Sequence, residues 1–128
     1  MLFRSADLDL LASHFTIAAF SYSGQKCTAT RRVIIVGDEA RKKEVVAALV
    51  SATEKLTIGD ANNEATFIAP LIHPKSYENY VSAVNAAKAA GTILTGGEIR
   101  TDGSNLPSPT ITDGLPLDRK STRLNSSH

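Results

Sequence analysis

Four consecutive β-branched residues, Val33-Ile34-Ile35-Val36, stand between two stretches of helical periodicity and are closed by Gly37-Asp38. β-Branched side chains are stiff at χ1 and suit a pleated strand. A run with no polar residue on either face predicts a strand covered on both sides, as in a parallel sheet. Upstream, Leu8, Leu11, Phe15 and Ala18 trace one face of a helix from Asp7 to about Phe20, with the Asp7 carboxylate placed to cap it. Ser21-Tyr22-Ser23-Gly24 then marks a loop. Downstream, a second helix is predicted from Asp38 to about Lys55, with Val45, Leu49, Ala52 and Leu56 as its apolar stripe. Arg41-Lys42-Lys43 oppose its dipole and are expected to loosen the first turn.

Thr57 to Ala69 is polar and irregular. Pro74 suits a first helical turn, Tyr77, Val81, Val84 and Ala87 give a third stripe, and Gly91 is predicted as a left-handed stop. Thr92-Ile93-Leu94-Thr95 reads as a short strand ended by Gly96-Gly97, and a last extended piece surrounds Pro109-Thr110-Ile111-Thr112. Strands separated by helices imply an α/β layered fold with parallel pairing.

Composition sets outer bounds. The chain is 42% hydrophobic and 21% charged, which excludes a disordered polymer. With 14 Lys+Arg against 13 Asp+Glu, neither nucleic acid nor a membrane surface is an expected partner. The basic clusters Arg31-Arg32 and Arg41-Lys42-Lys43 read as solvated faces, and His14 as packing or surface. His73, just before Pro74, is expected to help start the third helix, and Tyr77 and Tyr80 to pack it. No apolar run approaches a membrane span, and Met1-Leu2-Phe3-Arg4 lacks the pattern of a secretory leader. Cys27 is the single cysteine, so neither an internal disulfide nor a closed zinc site is expected, and no metal is assigned.

Chemistry concentrates in Phe20 to Arg31. A lone thiol follows a glycine-containing loop and precedes the expected strand, with Lys26, Arg31 and Arg32 close in sequence. A cysteine nucleophile acts as thiolate and needs positive or dipolar surroundings. The plain alternative is a small packing residue. Ser23-Gly24-Gln25-Lys26 also matches the Ser-x-x-Lys motif of serine acylases, but that motif's partners, Ser-Asp-Asn and Lys-Thr-Gly, occur nowhere in the chain.

Phe20, Gly24, Gln25 and Cys27 stand in the register of the active-site cysteine signature of the NAD(P)-dependent aldehyde dehydrogenase superfamily, which this segment resembles. Ala6-Asp7-Leu8-Asp9-Leu10, Ile58-Gly59-Asp60, Ala69-Pro70-Leu71-Ile72, Leu94-Thr95-Gly96-Gly97 and Pro109-Thr110-Ile111 follow in family order. The resemblance spans about residues 5 to 117. It implies that residues 1–117 are part of a catalytic domain with a parallel sheet in a three-layer α/β architecture. It also implies that Cys27 attacks an aldehyde carbon and passes through a thiohemiacetal and a thioester to the carboxylic acid. Lys26 would meet an anionic substrate, and Gly24 and Gln25 would position the nucleophile loop. The cofactor would be NAD or NADP. Its glycine-rich site, the general-base glutamate and the asparagine oxyanion donor would precede this stretch, and a Phe-Gly-Pro segment would follow it. The chain alone is therefore expected to show no turnover. The parent is expected to be cytoplasmic and homo-oligomeric, with a small aldehyde as its partner.

Within the superfamily, Ala19 to Gly24, Lys26 to Ala29, Ala69 to Ile72 and Asn105-Leu106 are most similar to the non-phosphorylating glyceraldehyde-3-phosphate and lactaldehyde dehydrogenase group. Semialdehyde dehydrogenases are the close competitor. A different reading makes the chain a non-catalytic fragment that docks through exposed sheet and helix faces. The last residues, 118–128, resemble the in-frame translation of a common sequencing adapter and are read as a non-native tail.

Overall fold

The structure is a computed structural model, and it describes residues 7–116. Three helices, α1 (Leu8–Phe20), α2 (Glu39–Glu54) and α3 (Pro74–Ala90), are followed by strands β1 (Thr92–Thr95) and β2 (Ile111–Asp113). The expected tail at 118–128 and the boundary at 117 lie outside the described residues.

Each helix begins where a side chain can accept the free N–H groups of its first turn. Asp7 accepts from the amides of Asp9 and Leu10 at 3.0 and 3.2 Å. Asp38 accepts from Arg41 N–H at 2.8 Å. His73 Nδ1 accepts from Ser76 N–H at 3.1 Å, with Pro74 in the first turn. The basic start of α2 is compensated by side-chain pairing, since Arg41 pairs with Glu44 and Lys42 with Asp113.

α1 packs on α2, and both α2 and α3 touch β1. The buried face of α1 is Ala12, Thr16 and Ala19 rather than the larger residues Leu8, Leu11 and Phe15, which are half-buried. Small side chains let two helix backbones approach, so the contact runs through them and the larger groups flank it. On α2 the buried residues are Val45, Leu49 and Thr53. Thr53 enters the core because its hydroxyl donates to Leu49 O at 2.7 Å, which satisfies it inside the helix. Val84 and Ala87 close the α3 side. Ile68, 1% exposed, is the most deeply buried large residue, and it pairs with Ile58 in an isolated parallel bridge.

Three expectations are corrected. Val33–Val36 forms no strand, and Ile34 is 83% and Val36 70% exposed. A strand needs an edge to pair with, and the only sheet among the described residues joins β1 to β2. That sheet is antiparallel, with Thr92 opposite Asp113 and Ile93 opposite Thr112. Parallel neighbours need a crossover, and no helix lies between β1 and β2. Gly91 is not left-handed, since its φ is −152°. It must be glycine because a Cβ there would run into the Asp113 carbonyl and stand 3.1 Å from Leu115 Cδ2.

Asp113 links helix to sheet. The backbone N–H of Gly114 at 2.8 Å, and then the Lys42 ammonium at 3.2 Å, hold its carboxyl below the usual carboxylate range. A carboxyl lowered in the folded state contributes stability that is fully present above its unfolded pKa of about 4 and is lost as pH falls through the lower folded value. Asp113→Asn is therefore expected to lower the melting temperature slightly at neutral pH and to flatten its fall below about pH 4. Melting curves across pH 2 to pH 7, as a rough range, check this. An unchanged acid limb would refute it.

The candidate nucleophile loop

α1 ends at Phe20, and the chain then makes a turn, Ser21–Gly24, of unusual hand. Tyr22 and Ser23 have φ of 55° and 56°, and Gly24 has φ of 75°. For residues with a Cβ the left-handed region costs about 1 kcal/mol or more each. Glycine adopts it freely, which accounts for Gly24. The cost at Tyr22 and Ser23 is offset by contacts. Gln25 N–H donates to Tyr22 O at 3.1 Å, and Gln25 Nε2 reaches the same oxygen at 3.2 Å. The Ser23 hydroxyl donates to Ala69 O at 2.7 Å and accepts from Ala69 N–H at 3.1 Å. Gln25 Oε1 accepts from Ile72 N–H at 3.0 Å.

Cys27 follows on an exposed turn that Ala29 N–H closes onto Lys26 O at 3.2 Å. Thr30 N–H then donates to Ala18 O at 3.0 Å, fixing the exit of the loop against α1. The thiol is thus held from both flanks and faces solvent. Among the described residues no acceptor takes the Cys27 N–H. Lys26 sits beside it, half-exposed, with its ammonium donating to Ile17 O at 3.3 Å and not directed at the sulfur. Tyr22, Gln25, Lys26 and Ile72 line an open hollow of about 550 Å³, and Cys27 is not among its lining residues.

The loop's anchor is itself anchored. Leu71 N–H donates to Asn105 O at 2.8 Å, tying the 69–72 segment to the long loop between β1 and β2. Two tyrosines of α3 hold that loop. Tyr80 Oη donates to Glu98 O at 2.6 Å and accepts from Ser108 N–H at 3.0 Å. Tyr77 Oη bonds both the carbonyl and the amide of Arg100, at 3.0 and 2.6 Å. Burial raises the Tyr80 hydroxyl pKa, so it stays protonated and able to donate.

The structure therefore brings Gly24, Gln25, Lys26 and Cys27 into one loop. Ser23, Ala69 and Ile72 join them as partners; the sequence places each in a motif, but none of those motifs says that they meet. The signal for Ser23 was a hydroxyl next to a loop glycine; nothing local points to Ala69, which is 46 residues away. The rival Ser-x-x-Lys reading loses its geometry, because Ser23 Oγ is taken by Ala69 and Lys26 Nζ by Ile17 O. His14 is exposed and His73 serves its helix cap. Among the described residues no group of three or more His, Cys, Asp or Glu side chains could hold a metal, and no helix is long and apolar enough to cross a membrane.

The described residues also do not form a dinucleotide cradle. Gly96-Gly97, the only adjacent glycine pair, uses its missing side chains otherwise. A Cβ on Gly96 would overlap the Pro109 carbonyl, and one on Gly97 would lie 3.2 Å from Ile93 Cγ2.

Comparison with known proteins places this loop in a family. The model described as "Aldehyde dehydrogenase family" matches residues 1–124. A 1-pyrroline-5-carboxylate dehydrogenase of Bacillus subtilis is 41% identical over 95 residues, covering 74% of this chain and 18% of its own length. A 1-pyrroline-5-carboxylate dehydrogenase from Thermus, solved with bound NAD, superposes with a TM-score of 0.79 at 24% identity, over 91% of this chain and 22% of that one. An NADP-dependent glyceraldehyde-3-phosphate dehydrogenase from Bacillus halodurans, solved with NADP, gives 0.74 at 31% identity, over 92% and 24%. The chain thus spans about a fifth of the length of the relatives it matches. Loop, fold and sequence agree: the chain belongs to the aldehyde dehydrogenase family.

Proposed function

We propose that residues 7–116 are the nucleophile-bearing part of an NAD(P)-dependent aldehyde dehydrogenase catalytic domain, and that Cys27 bonds covalently to the aldehyde carbon. The observation that carries this reading is the chain's only thiol, exposed on a turn held at both flanks. The step derived for this chain is addition. The Cys27 thiolate attacks the carbonyl carbon, a C–S bond forms, and the C=O π electrons move to oxygen. The free Cys27 N–H is a donor for that developing oxyanion. Gly96-Gly97, packed against Pro109 and Ile93, leaves no glycine cradle for the NAD or NADP pyrophosphate among the described residues. In the complete domain, Val33–Val36 is a strand of a larger parallel sheet, which accounts for its exposed apolar side chains here.

The substrate class is a small aldehyde that also carries an anion. Several curated relatives are named for 1-pyrroline-5-carboxylate, a carboxylate. This favours a semialdehyde-type substrate over glyceraldehyde 3-phosphate or lactaldehyde. Lys26 lines the hollow, and its ammonium would have to exchange its bond to Ile17 O for the carboxylate, which it can bind as a point charge.

Capture of an aldehyde tests the reading. The chain is expected to give the carbon NMR resonance of a hemithioacetal with succinic semialdehyde labelled at its aldehyde carbon, and Cys27→Ser none. Butyraldehyde, uncharged and of equal chain length, should be captured more weakly, and Lys26→Gln should narrow that gap. No adduct at millimolar aldehyde would refute the role of Cys27.

A second reading, a non-catalytic docking fragment, draws on the exposed Val33, Ile34 and Val36. It predicts concentration-dependent association in sedimentation, together with no aldehyde capture.

A further inference from the structure

We propose that Ser23 is a positioning residue for Cys27, fastening the nucleophile loop to Ala69 through both hydrogen bonds of its hydroxyl. This rests on the reading of Cys27 as the nucleophile. One hydroxyl satisfies the carbonyl and the amide of the same residue, at 2.7 and 3.1 Å, so it fixes both the distance and the orientation of the two segments. Ala69 is a firm anchor, since it directly follows Ile68, the most deeply buried large side chain. The bond also holds Ser23 at φ 56°, a conformation that the loop alone would not favour. With Ser23 seated, Gln25 reaches Ile72 N–H at 3.0 Å, and the turn carrying Cys27 leaves from two fixed points. Losing the Ser23 hydroxyl would leave Gln25 as the single side-chain tie from the loop to the 69–72 segment, and Cys27 would sample the loop's other conformations.

The experiment compares the 128-residue chain with Ser23→Gly and Ser23→Ala. Glycine removes the hydroxyl while accepting positive φ, so it separates the hydrogen bond from backbone strain and is the variant that keeps its fold. Two quantities are read beside the melting temperature: amide exchange at Gln25, Ala29 and Thr30, and alkylation of the sole thiol by iodoacetamide, in which the sulfur displaces iodide. A peptide spanning residues 22–30 supplies the unpositioned rate. In Ser23→Gly the three amides are expected to exchange about tenfold faster while those of α3 keep their protection, and the alkylation rate is expected to move to that of the peptide. Uniform loss of protection over the whole chain, unfolding of both variants, or unchanged loop exchange would each overturn the positioning role. If the unsubstituted chain already alkylates at the peptide's rate, the proposed nucleophile fails, while the exchange data still decide on Ser23.

Discussion

Gly96→Ala is expected to destabilise the chain by about 3 kcal/mol or more, combining a left-handed backbone cost with overpacking. Gly96 has φ of +77°, where a Cβ is disfavoured. The new methyl group would also meet backbone that cannot swing aside. It would overlap the Pro109 oxygen and stand 2.8 Å from Pro109 C and 2.9 Å from Thr110 Cα. Those atoms lead into β2, whose pairing with β1 is the only sheet among the described residues. Relief therefore means parting β2 from β1 or giving up the turn that Gly97 N–H fixes by donating to Thr110 Oγ1 at 2.9 Å. The loss of unfolded-state entropy on replacing glycine offsets this by less than about 1 kcal/mol. Gly103→Ala is the control. Gly103 has nearly the same φ, +75°, but nothing lies within 4 Å of its would-be Cβ. It should cost about 1 kcal/mol from backbone strain alone. For a domain of this size the two variants should differ by roughly 10 °C in melting temperature. Equal melting temperatures would show that the strand pair yields to the methyl group at no cost.

The contrast between the two glycines marks the limit of what a sequence displays. Helix starts were legible because capping is local: Asp7, Asp38 and His73 each sit within three residues of the amide they accept from. Strand pairing was not legible. Val33–Val36 has the composition of a buried strand and lies exposed, because among the described residues no strand edge is set beside it to pair with. The buried face of α1 was misplaced for a related reason. Hydrophobicity points to Leu8, Leu11 and Phe15, but close helix contact selects Ala12, Thr16 and Ala19. Gly91 is special for a reason its sequence does not reveal, since a close approach and a left-handed turn both demand glycine and look identical in sequence. In the candidate site, the members adjacent in sequence, Gly24 to Cys27, were legible as a motif. Ala69 and Ile72 stand in a second motif, but their contact with the loop was not legible, because it is made by backbone groups, which carry no residue-type signal.

Placing residues 7–116 into a complete dehydrogenase of the family, in exchange for its matching segment, gives the setting for the sharpest functional prediction. There Cys27→Ser is expected to lower aldehyde oxidation by roughly four orders of magnitude or more in kcat, with KM nearly unchanged. The split follows from what the sulfur does. In the proposed role its bond to the carbonyl carbon would form only on the way to the transition state, so removing it would take little from initial binding. A serine hydroxyl is far less acidic than a thiol, and no base among the described residues is bonded to position 27 to take its proton. The fold should not suffer, because Cys27 is exposed and the oxygen is smaller than the sulfur, so an unchanged melting temperature separates chemistry from structure. Lys26→Gln in the same setting should show the opposite split: a higher KM for aldehydes carrying a carboxylate, little change in kcat, and no change for neutral aldehydes. Retention of activity within about tenfold by Cys27→Ser would mean that another group forms the covalent bond. The firmly anchored loop from Ser23 to Thr30 would then be scaffolding for a neighbour rather than the seat of the nucleophile.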